Sequence, residues 1–423
     1  MPDVLELGRS LRRRWSVPKL VLATGLVAAA VAIAVVCGRT EQVGGDFHVF
    51  WQAGRNFATG APLYHGELPG ARKFIYPPFA AMVFQLFAVM PLQAAAEVFS
   101  FVNIVLIGVS IGLTRKVVGR LQPDRPQGWL PLAVATALSL QFFFDNIHHV
   151  QVNEVIFVLL LLGLDAHLRG QSVRSAAYFV VATAVKITPA FFVLWLLVRG
   201  PRRAALAVPA VALACIATPL LARGAATGAG DLAEYYGSFL APYQHGQVMT
   251  DPRNQSLGAV VYRMMQPTEN EEHASYEYLP ASPTLAALTY KAGAAALLLL
   301  FLAKVAWLRG TRATVTAIEV SGVFLISHLL SPITWRAHLV TLLFVFYSFL
   351  LARPSVLSPP QRIGLAVLYA LIAVSSIGRD LLPDTVYNHL AGYGIVAWTM
   401  LALFIASLTM TPATLRNSLA TDR

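Results

Sequence analysis

The chain has 423 residues, 57% of them hydrophobic and 13% charged, with a mean hydropathy of +0.62. So little polar surface excludes a soluble domain of this length and points to an all-α, polytopic integral membrane protein. The 32 Lys and Arg against 21 Asp and Glu give a net charge of +11. In such a chain the placement of that charge sets orientation, and it implies no nucleic-acid partner.

In chain order, Arg9, Arg12, Arg13, Arg14 and Lys19 lead into a first apolar run, about residues 18–38. The run is long for a signal-peptide core and no A-x-A site follows, so an uncleaved first span is expected. Further spans are expected near 94–114, 129–144, 152–168, 203–221, 284–307, 314–330, 337–352, 363–378 and 392–409, about ten in all. The stretch 77–91 is short and carries Pro77, Pro78 and Pro91, which suits an interfacial or re-entrant piece. The stretch 174–198 is basic at both ends and holds Lys186 and Pro189 at its centre. It either breaks the charge rule or turns back to the side it came from. Cys37 and Cys215 fall in or beside apolar spans and are expected to be free thiols.

Basic residues fill the N-terminus and the loops at Arg115–Arg125, Arg199–Arg203 and Arg309–Arg312. Placing these in the cytoplasm puts both termini inside and residues 39–75, 145–151, 222–283, 331–336 and 379–391 on the outer face. The chain then forms one transmembrane domain over 1–423, in an inner (plasma) membrane, and membrane lipids surround it.

The dense polar motifs all fall on that outer face: Asp46 and His48 in GGDFHVFW, HHVQVNE at 148–154, DPRNQS at 251–256 and SPITWRAH at 331–338. Asp46, His48, Trp51 and Tyr76 together suit a site that handles a polar group presented from lipid. Each has a plainer reading. Asp46 is also a good N-cap for a helix starting near Phe47, and Gln151 and Asn153 could cap the next span. His48, His149 and Trp335 could be interfacial anchors. Lys186 at membrane depth is a functional candidate, or it snorkels to the interface. Asn254 and Gln255 could simply make a turn, whereas Arg336 and His338 are well placed for an anion. Glu97 and Glu319, near span ends, read as structural.

No metal-ligand spacing, Walker loop or G-x-G-x-x-G is visible, so no metal and no cofactor are expected. An outward-facing enzyme with no nucleotide site must use a substrate that is already activated.

These motifs resemble those of the glycosyltransferase-C superfamily, and more closely the polyprenyl-phosphate-mannose-dependent α-mannosyltransferases. That family includes the mycobacterial enzymes that build phosphatidylinositol mannosides and lipomannan. Its D-F-x-V-Y/F and Y-P-P-F elements correspond to Asp46–Phe50 and Tyr76–Phe79, and its G-Q-x-N resembles Gln151 and Asn153 with Val150 in place of glycine. Its K-x-x-P matches Lys186–Pro189, its N-Q-S matches Asn254–Ser256, and its S-P-I-S-W-x-H-H resembles Ser331–His338 with Ala337 in place of the first histidine.

The resemblance implies a membrane glycosyltransferase moving a hexose, most plausibly mannose, from a polyprenyl monophosphate co-substrate to a lipid or glycolipid acceptor, with inversion. Asp46 would be the general base, and Lys186, Arg336, His338 and His149 the phosphate partners. Asn153, Asn254 and Gln255 would read sugar hydroxyls; Trp51, Tyr76 and Trp335 would offer apolar faces; His48 and Gln151 complete the substrate-binding set. The alternatives are a lipid or sugar transporter or flippase, and a lipid-linked oligosaccharide ligase. A transporter usually shows interrupted helices in two matching halves, and here 77–91 and 174–198 have no counterparts.

Overall fold

The computed structural model describes residues 17–40, 45–64, 72–123, 125, 127–244, 246–267, 276–352, 359–360, 362–367, 369–370, 373 and 383–410. The basic N-terminal arm, the acidic stretch around 269–274 and much of the expected span at 363–378 lie outside them. Among the described residues the chain is helical, with no β-strand. Helices α4 (Leu92–Leu121), α5 (Trp129–His148), α9 (Arg202–Ala222) and α12 (Pro283–Gly310) are long and apolar enough to cross a bilayer, as is the stretch Thr385–Thr409. That stretch takes in all but the first residue of α15 (Asp384–Gly392) and the whole of α16 (Ile395–Thr409). At ~1.5 Å per residue, such helices cover the ~30 Å hydrocarbon core. The protein is an all-α polytopic membrane protein.

Helices α1 (Val17–Thr40) and α6 (Asn153–Leu168) match the expected spans 18–38 and 152–168 closely, whereas α13 (Ala317–Leu329) and α14 (Leu342–Ala352) are shorter than expected. The last two are cut short because Ser331–Trp335 leaves the helix and Arg336–Thr341 winds as a 3-10 turn.

The stretch 174–198 forms two helices, α7 (Ser172–Val185) and α8 (Ala190–Arg199), broken at Lys186–Pro189. Phe179 meets Phe192 with ring centroids 5.4 Å apart, so the helices fold back on each other. His167, at the end of α6, meets Trp195, just past the middle of α8, at 5.1 Å, and Arg199 at the end of α8 pairs with Glu319 near the start of α13 (Ala317–Leu329). Entry and exit therefore lie at the same end of the bundle, and the stretch returns. Gly163 permits the close packing: a Cβ there would fall 2.4 Å from the Phe179 ring. Lys186 is thus carried to the tip of the hairpin, beside the start of α6.

The basic end is knitted by ion pairs. Asp165 takes Lys116 at 3.2 Å, Arg169 at 3.0 Å and Arg120 more tightly still. Glu319 takes Arg199 at 3.0 Å and the Trp195 indole at 2.9 Å, which accounts for this carboxylate as structural.

At the opposite end, α2 (Asp46–Thr59) packs on α3 (Pro78–Phe84), with the Phe50 and Phe84 rings stacked 4.6 Å apart. Gly60, with φ of +76°, closes α2. Gly54 lets α2 approach α3, since a Cβ there would meet the Phe84 backbone at 2.6 Å. The long segment 222–283 is more ordered than a loop: α10 (Ala225–Tyr235) runs on through a π-helical turn, Tyr236–Leu240. Tyr235 and Phe239 pack with Ile333 in a small cluster that also holds Tyr64, Ile187 and Trp335. The segment's arginines are largely structural. Arg223 pairs with Asp231 at 2.6 Å and donates to the Asn56, Phe57 and Ala61 carbonyls, and Arg263 is fully buried against the Gly392, Asp251 and Asn254 carbonyls.

Candidate functional site

Asp46 is the first residue of α2; Gly45 is the N-cap, and no side chain caps the helix. The capping reading of Asp46 therefore does not hold. Its carboxylate instead bridges three segments. Oδ1 accepts from Arg72 Nη1 at 2.5 Å, Oδ2 accepts from Gln151 Nε2 at 2.6 Å, and His149 Nδ1 stands 4.0 Å from Oδ2. The side chain remains 33% exposed. A carboxylate offers about four lone-pair sites, so two donors fix its plane and leave room for a third.

Two residues past Gln151, Asn153 accepts from Lys186 Nζ at 2.7 Å and donates to Asn146, which donates to Asn103, each at 3.1 Å. This buried amide chain locks the hairpin tip. Lys186 does not snorkel: it is 9% exposed, and its Nζ sits 5.7 Å from the Tyr76 ring centroid. Burial and the nearby Asp46 charge push the Tyr76 hydroxyl upward, so it stays a hydrogen-bond donor at neutral pH. A cavity behind Lys186 is lined by Asn153, Phe192, Phe324, His328, His338 and Thr341, among others. His338 Nδ1 accepts the Trp335 N–H at 3.3 Å, which assigns its proton to Nε2.

Val150 between these segments has φ of +46°, the left-handed region that favours glycine. A β-branched residue there is strained by about 1–2 kcal/mol. This explains the glycine of the motif that Val150 departs from: the turn must deliver His149, Gln151 and Asn153 to one side.

Other expected site residues go elsewhere. Asp46 and His48 do not converge, because two helical residues are about 200° apart around the axis. His48 is buried against Trp51 (centroids 6.0 Å apart), and the Trp51 indole donates to the Met90 carbonyl at 2.9 Å. Both anchor α2. Asn254 is fully buried and holds two loops together, so it makes a turn rather than facing a ligand. Gln255, 2% exposed, donates to the Pro252 and Ala391 carbonyls at 2.9 Å. Arg336 and His338 part company: His338 lines the Lys186 cavity, whereas Arg336 stacks 4.6 Å from the Tyr387 ring centroid beside a second cavity. Ala337 is buried between them. Trp335 packs in the Tyr235 cluster, with the Arg253 guanidinium 5.6 Å from its centroid.

Sequence reasoning does not single out Arg72, Asn103, Asn146 or His328. Asn103 carries the clearest signal, a lone amide within the apolar run FVNIVL, where an unsatisfied polar group is costly.

Burial holds the imidazoles of His48 and His149 below their ordinary value of 6.5; for His149 the charges of Asp145 and Asp46 pull the other way. Below about pH 6.5 the unfolded chain therefore binds more protons than the folded one. The stability is fully present above the unfolded value and is lost as pH falls into the lowered range. We expect the Tm of the purified protein to drop between about pH 7 and pH 5, and His48→Phe to flatten that dependence. An equal slope in the variant would remove His48 as a contributor.

A membrane-embedded bundle that gathers a fixed carboxylate, a buried ammonium and amides at one end suits an enzyme acting on lipid-borne polar groups. The chain belongs to glycosyltransferase family 87, whose sequence model matches residues 74–332, and it is a membrane glycosyltransferase. Over 436 aligned residues it is 26% identical to a polyprenol-phosphate-mannose-dependent alpha-(1-2)-phosphatidylinositol mannoside mannosyltransferase of Mycobacterium tuberculosis, covering 96% of this chain and 94% of that protein. It is 29% identical over 170 residues to a protein of the same name from Mycolicibacterium smegmatis, covering 36% of this chain and 38% of that one. No solved structure matches.

Proposed function

We propose that this glycosyltransferase moves mannose from a polyprenyl monophosphate to a lipid-linked glycan acceptor at the outer face of the plasma membrane, as one transmembrane domain with both termini cytoplasmic. The observation that carries the reading is the Asp46 carboxylate, held by Arg72 and Gln151 and still accessible, with Lys186 buried behind it. The printed names of the mycobacterial relatives support the donor and the kind of acceptor.

In this mechanism the acceptor hydroxyl donates a hydrogen bond to Asp46. Its oxygen attacks the anomeric carbon as the bond from that carbon to the phosphate oxygen breaks, and the proton passes to Asp46. The phosphate leaves with the electron pair, and Lys186 stabilises its charge, with His338 alongside. His149 stands by to relay the proton from Asp46. Asn153 and Gln151 position the reacting groups, and the Tyr76 ring forms the wall between base and ammonium. Single displacement inverts the anomeric carbon. The family assignment argues against a transporter, a flippase or a pyrophosphate-dependent ligase.

The test feeds membranes containing the protein a radiolabelled polyprenyl-phosphate mannose and analyses the lipid products. Labelled mannolipid should form with wild type and be lost on adding an Asp46→Asn change. Orientation is read alongside: Gly45→Cys should react with a membrane-impermeant thiol reagent in intact cells, and Arg203→Cys, exposed at the basic end, should not. Absence of label in any lipid would reject the donor, and the reverse labelling pattern would reject the outer face.

A further inference from the structure

Two donors hold the Asp46 carboxylate, and they differ in how firmly they are held themselves. Gln151 is buried in the turn between α5 and α6 and donates to Oδ2 at 2.6 Å. Arg72 donates to Oδ1 at 2.5 Å from a side chain that is 43% exposed. Among the described residues Asp46 is the only acceptor to which Arg72 donates. The other guanidinium N–H groups therefore remain available beside a carboxylate that is itself one-third exposed. Lys186 is the opposite case. It is 9% exposed, and its Nζ is committed to Asn153 Oδ1 at 2.7 Å. Moving it would strip the buried amide chain of its charged partner, which is costly, whereas an exposed ion pair opens easily.

The transfer reaction moves charge in a defined direction. At the start Asp46 is an anion, and the donor phosphate, esterified on both sides, is a monoanion. As the acceptor oxygen bonds to the anomeric carbon, the hydroxyl proton passes to Asp46. The electron pair of the breaking carbon–oxygen bond goes to the phosphate. Asp46 ends neutral, and the lipid phosphate ends as a monoester carrying about −1.5 to −2 at neutral pH. One negative charge has thus left the carboxylate and appeared on the phosphate. A cation bound to Asp46 loses its partner just as a stronger one forms nearby. A buried ammonium can serve only one end of that displacement. A guanidinium on a long, exposed stem can serve both, first an oxygen of Asp46 and then two phosphate oxygens through its fork.

We propose that Arg72 is a further catalytic residue, a mobile cation that holds Asp46 before transfer and passes to the lipid phosphate as the sugar leaves it. The inference rests on the glycosyltransferase reading above and deepens it, adding a movable cation to the fixed one at Lys186. Gln151 keeps the carboxyl group in place once Arg72 has gone, with His149 Nδ1 still 4.0 Å from Oδ2 to take the proton. Loss of that proton draws Arg72 back to Asp46 and loosens the spent phosphate. Resetting the base and releasing the lipid product are therefore one event.

A double-mutant cycle on binding tests this apart from transfer activity. The purified full chain is titrated with farnesyl phosphate, a short polyprenyl monoester. Kd is measured for wild type, Asp46→Asn, Arg72→Gln and the double variant, with Tm recorded for each. Asn stands in for the protonated base and sets Arg72 free. Asp46→Asn should therefore bind the monoester roughly tenfold more tightly than wild type, the worth of one charge-assisted hydrogen bond. In the Arg72→Gln background the same change should give a gain several-fold smaller, because only relief of repulsion between two anions remains. Asp46→Ser, also uncharged, supplies a second cycle in which the Asn amide plays no part. No gain in Asp46→Asn, or gains equal within about twofold in the two backgrounds, would overturn the role of Arg72 and leave the donor assignment standing. Failure of every form to bind the monoester would reject the donor assignment, and the role of Arg72 with it.

Discussion

Asp46→Asn is expected to lower sugar transfer by about 10²–10⁴-fold, ~2.7–5.5 kcal/mol in activation free energy, while the protein stays folded. Asn is nearly isosteric and can still accept from Gln151, but it cannot take a proton. Its amide would face Arg72, donor against donor, and that contact would open. Arg72 is 43% exposed, and a pair at such a surface is worth only about 0–1 kcal/mol, so the structural cost is small. Helix capping offers no rival explanation, since Gly45 is the N-cap and the Asp46 side chain caps nothing. Transfer assays on purified Asp46→Asn, with donor binding and thermal stability measured alongside, separate chemistry from folding. Near-normal turnover in a well-folded variant would end the general-base assignment.

Much of the fold is legible in the sequence because bilayer burial writes long apolar runs, and the helix-breaking residues in 174–198 mark the hairpin. Its direction is less legible, because basic residues at both ends fit either a rule-breaking span or a return; the His167–Trp195 contact settles it. The site divides the same way. Asp46, Gln151, Asn153 and Lys186 are legible as charges and amides that an apolar environment would not otherwise tolerate. Their partners are not: Arg72 lies 26 residues from Asp46 in sequence, and the Asn103–Asn146–Asn153 chain joins α4, α5 and α6. The closeness of Arg336 and His338 in sequence misleads, since two steps along a tight helix turn a side chain about 200–240° and these two serve different cavities. Similarly, Asp46 and His48 read as parts of one site until the helical phase sends His48 to the Trp51 side.

Asn254 draws the sharpest line between a ligand contact and a structural one, and Asn254→Ala is expected to destabilise the protein by about 3–5 kcal/mol. The side chain is fully buried. Its Nδ2 donates to the Met249 and Pro332 carbonyls at 3.0 and 3.2 Å, and its Oδ1 accepts the Ser256 and Thr334 N–H groups at 3.1 and 2.9 Å. Removing it leaves four backbone groups without that partner, each worth roughly 1–3 kcal/mol when buried and unsatisfied. Relaxation of the two loops and entry of water keep the total below the sum. Those loops carry Arg253 and Gln255 on one side and Trp335, Arg336 and His338 on the other, so activity should fall together with stability. Asn254→Asp tests the geometry: it keeps both acceptor contacts but sets an oxygen against two carbonyls, so it should be no better than Ala. Thermal unfolding measured beside donor kinetics decides the matter. An unchanged Tm with a raised donor KM would return Asn254 to the residues that read the sugar, and a Tm lowered in both variants fixes it as the clamp between the two loops.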